Sequence, residues 1–436
     1  MSTNPDPVRM LRGLRLPQWL LPVHWPQTDS GPAWADLLID SEGQVVRLQP
    51  HGSPSGAPDM GRCWDVQGAL ALPGLVDAHT HIDKTFTLPR MRNVTPGLLG
   101  AIEAMMVDRA QWTPNDIHQR ASRAMEWSYR SGVTRLRTHC DWWEPDQVPV
   151  AWQVLRDLAE AWRGRMRLER VSLIPLPLFA DRHAAHELAR TVARSGPDTL
   201  LGGFVHSTHW NPGALRHLLE AAAQHGLDVD LHVDEELQVE AQGLLTTARL
   251  AQEMGFAGRI VCGHTCALSV QDERTAQATL DAVAQAPITL VTLPVTNLLL
   301  QDAQTARTPR TRGITLVKEA RSRGIPVLMA SDNVQDPFCP MGSYDPLEAM
   351  TIGLPAAQLT QAFDRWTDSL CRADWLDRAP SPPLAPGEPA DLVIFVDADH
   401  WGFPSRTQQR VVLRRGRLCH GSPPAPWYQP SGALAP

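Results

Sequence analysis

The stretch ALPGLVDAHTHIDKTFT (residues 71–87) decides the fold. Its first half is apolar nearly throughout, as in a strand buried on both faces of a parallel sheet. It ends in His79-Thr80-His81. Residues two apart in a strand point to the same side, so both imidazoles can face one point. An HxH pair alone is a weak signal. At the C-terminal end of a barrel strand it sits where barrel enzymes build their active sites.

Seven further apolar runs follow at βα spacing: residues 134–141, 168–176, 200–207, 227–235, 258–265, 288–294 and 325–333. The segments between them carry helical periodicity, the pattern of βα units around a parallel sheet. Gly132, Gly226, Gly255 and Gly324 each stand just before a strand, where helix C-termini favour glycine. Eight strands predict an α/β fold, a closed (β/α)8 TIM barrel over residues 71–378. A doubly wound sheet would show a Gly-rich phosphate turn after its first strand, and none is present. The ends read differently. ADLLIDSEGQVVRLQP (35–50), PADLVIFVDAD (389–399) and QRVVLRRGRL (409–418) are strand-like, and APSPPLAPGEP (379–389) is a proline-rich break. Residues 1–70 and 379–436 are therefore expected to join as one small β-sandwich, with a proline-rich tail.

The chain has 436 residues, 43% of them hydrophobic and 20% charged, enough for a large core. A net charge of -7 gives no reason to expect nucleic acid as a partner. Seven scattered cysteines without a CxxC pair argue for reduced thiols in a cytosol. The start lacks a sustained apolar segment, and no apolar run reaches membrane-spanning length, so a cytoplasmic protein with no membrane partner is expected. Lys84 and Lys318 are the only lysines.

Three more polar residues end strands at the height of the HxH pair: His232 after LDVDL, His264 after RIVCG and Asp332 after PVLMAS. Singly, a buried histidine with a backbone partner or an aspartate capping a helix accounts for each. Together they form a donor set suited to zinc or iron. A divalent ion makes water nucleophilic near neutral pH.

PGLVDAHTHIDKTFT, RTHCD, LHVDEE, GHT and ASDNVQDPF, in this order, resemble the amidohydrolase superfamily, and more narrowly cytosine deaminase and its triazine-pathway relatives. The likeness covers residues 70–350. It implies one divalent metal ion (Zn2+ or Fe2+) held by His79, His81, His232 and Asp332. It also implies a proton-shuttling Glu235, a His264 that positions water and substrate, and an Asp332 that also accepts a proton. Relatives with two metals bridge them with a carbamylated lysine from the fourth strand. LLGGFVHSTHW (200–210) has none, and Lys318 lies in a helical run, so a single ion follows. Lys84, close to the HxH pair, reads as a substrate contact or as a structural loop residue. His139 and Asp141 read as ligand-orienting or core residues, and His206 and His209 as pocket-lining or not. Cys262 and Cys266 flank His264 but turn away from it. The family's pyrimidine-reading glutamine has become Leu176 or Pro177, its second aspartate Asn333, and its stacking aromatic Phe338.

The resulting expectation is hydrolytic deamination of an amino-substituted N-heterocycle (pyrimidine, triazine or pterin-like), with that small molecule as partner. Assembly as a homo-oligomer follows many relatives. The same activated water could instead open a cyclic amide or act on an N-alkyl-substituted ring, and a binding scaffold is the alternative outside enzymes. Losing polar readers of the pyrimidine edge costs about 1–3 kcal/mol each. Ammonia release from cytosine should therefore be slow or absent; turnover matching that of the best substrate would overturn the assignment of Leu176 and Asn333.

Overall fold

The eight runs fold as parallel strands, labelled β1 to β8: Leu75–Thr80, Val133–Asp141, Arg167–Pro175, Thr199–Val205, Val229–Val233, Ile260–His264, Ile288–Thr292 and Val327–Met329. The computed structural model describes residues 7–26, 31–54, 62–92, 94–404 and 409–428. Each strand pairs in parallel with the next in chain order. The ring closes between β8 and β1. The Asp332 N–H donates to the His79 carbonyl at 2.9 Å, and a parallel bridge joins Thr80 to Asp332. Asp77 accepts the Ser331 N–H on Oδ1 at 2.9 Å across the same seam. Burial pushes the Asp77 carboxyl up to about 7. The architecture is the expected α/β barrel.

The helices follow from their caps and apolar stripes. Asp181 accepts the Ala184 N–H at 2.8 Å and starts the helix Arg182–Arg194. That helix buries Ala185, Leu188, Ala189 and Val192 against the barrel, the spacing of one helical face. Gly132 ends the helix Pro114–Ser131 at a φ of 107°. A Cβ there would meet Val393 Cγ2 at 2.3 Å, so the barrel lies directly against the C-terminal segment at this turn.

The strand expected over 71–81 is two strands. Leu70–Pro73 pairs antiparallel with Leu392–Phe395, and only beyond Gly74 does the chain enter the barrel. A Cβ on Gly74 would stand 2.3 Å from Thr134 Cγ2. An uninterrupted apolar run hides this change of sheet. The sheet so joined is mixed and has eight strands, among them Met10–Leu16, Ala33–Ile39 and Val45–Pro50 from the N-terminal part and Arg410–Arg414 and Arg417–His420 from the C-terminal part. It gathers its own apolar cluster, with Leu11, Leu37, Trp64, Ile394 and Leu413 buried. The proline-rich tail after Tyr428 lies outside the described residues.

Inside the barrel, beneath the strand ends, runs a chain of buried charge. Arg135 and Arg137, two apart on β2, both bind Glu169, at 2.6 and 2.8 Å. Arg137 also binds Asp230 at 2.8 Å, and Asp230 faces His139 at 3.1 Å. Removing one partner of a buried pair leaves the other charge uncompensated. Arg137→Met should lower unfolding stability by about 3–5 kcal/mol in a denaturant titration; an unchanged midpoint would contradict this account of the interior.

Candidate metal centre

Three strands bring four donors together. His79 and His81 stand at the end of β1, His232 within β5, and Asp332 just after β8. Their atoms converge: His79 Nε2 lies 3.2 Å and His81 Nε2 3.1 Å from His232 Nε2. Asp332 Oδ1 lies 3.3 Å from His81 Nε2 and 3.6 Å from His79 Nε2. All four residues are buried. Burial holds the three imidazoles well below their usual pKa, so they are neutral, and it raises the Asp332 carboxyl.

Neutral imidazoles cannot all donate to one another at such distances. Among the described residues Asp332 Oδ1 and Oδ2 have no hydrogen-bond donor. His79, His81 and His232 each offer a ring nitrogen within 4.8 Å of the others, and His79, His264 and Asp332 form a second group at that spacing. Donors around one zinc or iron at about 2.0–2.2 Å stand roughly 3.0–3.6 Å apart, and the four distances above fall in that interval. The residues fit a single divalent cation.

The strand ends are held in an uncommon backbone conformation. Asp234, His264, Thr265 and Asp332 have φ of 51°, 69°, 51° and 61°. Left-handed non-glycine residues of this kind cost of order 1–3 kcal/mol each and persist where surrounding bonds over-determine them. Those bonds are present. Besides the Asp332–His79 bond, the Asp234 N–H reaches the Val205 carbonyl at 3.0 Å and the Thr265 N–H reaches that of Val233 at 2.9 Å. Asp234 then accepts the Gly243 and Leu244 N–H groups, each at 3.0 Å, tying the loop after β5 to the next helix.

Glu235 and His264 stand beside the centre. Glu235 Oε1 is 3.4 Å from His264 Nδ1, which also meets Asn297 Oδ1 at 3.0 Å. With Asn297 accepting, the proton is assigned to Nδ1, and Nε2 is buried without a partner among the described residues. Burial, with Asp332 adding repulsion, holds the Glu235 carboxyl well above its usual range. Burial also lowers His264.

These groups open on a narrow cavity of about 40 Å3. Lys84, Asp141, Asn333 and Phe338 share its wall with His81, His232, Glu235 and His264. Asn333 Nδ2 donates to Asp336 Oδ2 at 2.6 Å, and Asp336 also accepts the Phe338 and Cys339 N–H groups. That network fixes the loop after β8. A wider groove bordered by Arg163, Arg167 and Arg415 lies at the other end of the barrel and holds none of these groups.

Two expected pocket residues fall elsewhere. Leu176 is wholly buried in the core outside the cavity, because the chain turns into a short helix at Leu176–Phe179; Leu173 and Pro175, two apart on β3, form the wall. His206 stacks on Phe204 and faces Glu236 at 3.6 Å, while Phe204 itself lines the cavity. His209 is exposed. Cys262 and Cys266 are buried and enter no metal-spaced group among the described residues. His139 lies against His79, with ring centroids 3.9 Å apart. The reading by residue also missed Asn297, Trp143 and the helix Leu98–Arg109, whose Leu98, Ile102 and Met105 face the cavity. Their spacing of four and three residues puts them on one helical face.

The sequence profile of the amidohydrolase family matches residues 96–418. A pterin deaminase from Rhizobium rhizogenes is 36% identical over 398 residues, 89% of each chain. An N-isopropylammelide isopropyl amidohydrolase from a Pseudomonas species is 25% identical, over 81% of this chain and 87% of the other. The crystal structure of a 5-methylcytosine deaminase from Klebsiella pneumoniae, liganded with 5-fluorocytosine, superposes with a TM-score of 0.79 at 25% identity, covering 94% of this chain and 96% of that one.

Proposed function

Because this chain belongs to the amidohydrolase family, we propose that it is a metal-dependent deaminase that hydrolyses the exocyclic C–N bond of a pterin-like aminoheterocycle and releases ammonia. The observation that carries the reading is the convergence of three imidazoles and one carboxylate, at single-ion spacing, beside the buried carboxyl of Glu235. His79, His81, His232 and Asp332 hold one divalent ion, zinc or iron. When bound, it supplies the Lewis acidity that makes water a nucleophile near neutral pH.

The chain's own groups do the rest. Glu235 delivers its proton to a ring nitrogen as the water oxygen attacks the amino-bearing carbon. It then takes the proton of the newly attached hydroxyl and passes it to the departing nitrogen, and the proton held by Asp332 returns to Glu235. Asp332 accepts the proton that the water gives up. His264, fixed by Asn297, turns its free Nε2 toward the reacting centre. The C–O bond forms, the C–N bond breaks and ammonia leaves. The ring rests between Phe338, Trp143 and Phe204, with the helix Leu98–Arg109 keeping bulk water out. Apolar Leu173 and Pro175 stand on the side of β3 and offer no side-chain hydrogen bond, which disfavours cytosine. The same apolar wall, with the likeness to an enzyme named for an isopropyl substituent, supports loss of an alkylamine as a second reading.

Ammonia release from purified enzyme, screened over pterin, aminotriazines and aminopyrimidines, should be fastest with pterin; ring opening without amine release would reject the proposal. Glu235→Gln should lower kcat by about 100-fold or more with metal content intact. His79→Ala should lose metal and turnover together. Retention of most activity by the glutamine variant would remove Glu235 from the acid–base role.

A further inference from the structure

Of the two lysines, Lys318 is exposed on the helix Val317–Ser322, whereas Lys84 is 3% exposed in the cavity wall. Lys84 Nζ donates to Asp141 Oδ1 at 2.7 Å. Asp141 lines the same cavity, and its Oδ2 is buried with no partner among the described residues. The pair is fixed from behind. The Asp141 N–H donates to Asp83 Oδ2 at 3.1 Å, and Arg120 Nη1 pins the turn by donating to the carbonyls of Asp83 and Thr85 at 2.7 and 3.0 Å. The Phe338 ring lies 5.0 Å from the ammonium, and desolvated cations attract aromatic faces.

A buried carboxylate oxygen without a donor is costly unless a ligand satisfies it. The ammonium lies among the carboxyl groups of Asp141, Asp83 and Asp336, so this corner carries no net positive charge that would attract an anionic substituent. It offers a donor and an acceptor side by side on rigid supports. The complement on a flat ring is a neighbouring N–H and C=O, the edge of a lactam. We propose that Lys84 and Asp141 are specificity residues that read a lactam edge of the heterocycle, Asp141 Oδ2 accepting from the ring N–H and Lys84 Nζ donating to the adjacent carbonyl oxygen. This rests on the deaminase reading above and narrows its substrate class to oxo-substituted aminoheterocycles. A ring with an amino group in place of that oxygen presents a donor to the ammonium and a bare nitrogen to the carboxylate, reversing both contacts.

The test compares 2-amino-4-oxopteridine with 2,4-diaminopteridine on the metal-loaded enzyme. Wild type should favour the oxo compound in kcat/KM by about 1,000-fold or more, since sites built to bond a substrate N–H reject analogues lacking it strongly. Asp141→Asn and Lys84→Met should lower turnover of the oxo compound about 100-fold and change the diamino compound little, so the preference collapses. Lys84→Arg, which keeps a donor and the ion pair, should retain most of it. Absence of preference in wild type, or equal losses on both compounds with metal retained, would overturn the proposal. The wild-type comparison needs no variant to fold. Binding of pteridin-4-one, which has no amine to lose, separates the two readings. If wild type deaminates neither pteridine, the deaminase reading fails; tight pteridinone binding that the variants lose still upholds the pair. Binding that is undetectable in wild type or unchanged in the variants overturns it.

Discussion

Asp332 joins the barrel and the site in one residue. Its backbone N–H closes the seam between β8 and β1 on the His79 carbonyl, and its carboxylate meets the side chains of His79 and His81. Its φ of 61° turns the chain so that both contacts can be made at once. The ring therefore cannot close in this register without bringing donors from its first and last strands together. β5 then adds His232 from the opposite side of the lumen. Closing the ring therefore assembles the donor set, and a divalent cation at its centre would offset the crowding of those buried lone pairs.

The rest of the buried polarity is arranged around that fact. Below the centre, Asp230 faces His139, which lies against His79, and the arginines of β2 neutralise Asp230 and Glu169. Above it, the Lys84–Asp141 pair and the Asn333–Asp336 pair hold the loops after β1 and β8. Burial pushes the Asp336 carboxyl up to about 7, as it does those of Asp77 and Asp234, all close to the strand ends. Carboxyls raised in this way by desolvation cluster where a fold gives up stability for function. Glu235, raised by burial, belongs to the same pattern.

Much of this was legible in the residues. Strand identity came from apolar runs, and a two-residue period put His79 and His81 on one side. His232, His264 and Asp332 were found because each ends such a run. What stayed hidden depends on backbone turns that no periodicity encodes. Leu176 looked like a pocket residue, but the turn after Pro175 buries it, and the alternation of β3 gives the wall to Leu173 and Pro175. Gly74 divides one apolar run between two sheets. His206 ends its run as the others do, yet it faces Glu236, and the wall there belongs to Phe204. The helix Leu98–Arg109 is apolar on more than one face, with Leu99 and Val107 exposed, so its pattern could not say which side would meet the cavity.

The central claim is that His79, His81, His232 and Asp332 enclose a single cation. Anomalous diffraction at the zinc and iron edges, from crystals of protein purified without chelator, tests it most directly. One peak per chain is predicted, within about 2.0–2.3 Å of the three Nε2 atoms and of an Asp332 oxygen. Two peaks, or one peak bound by other residues, would contradict the account.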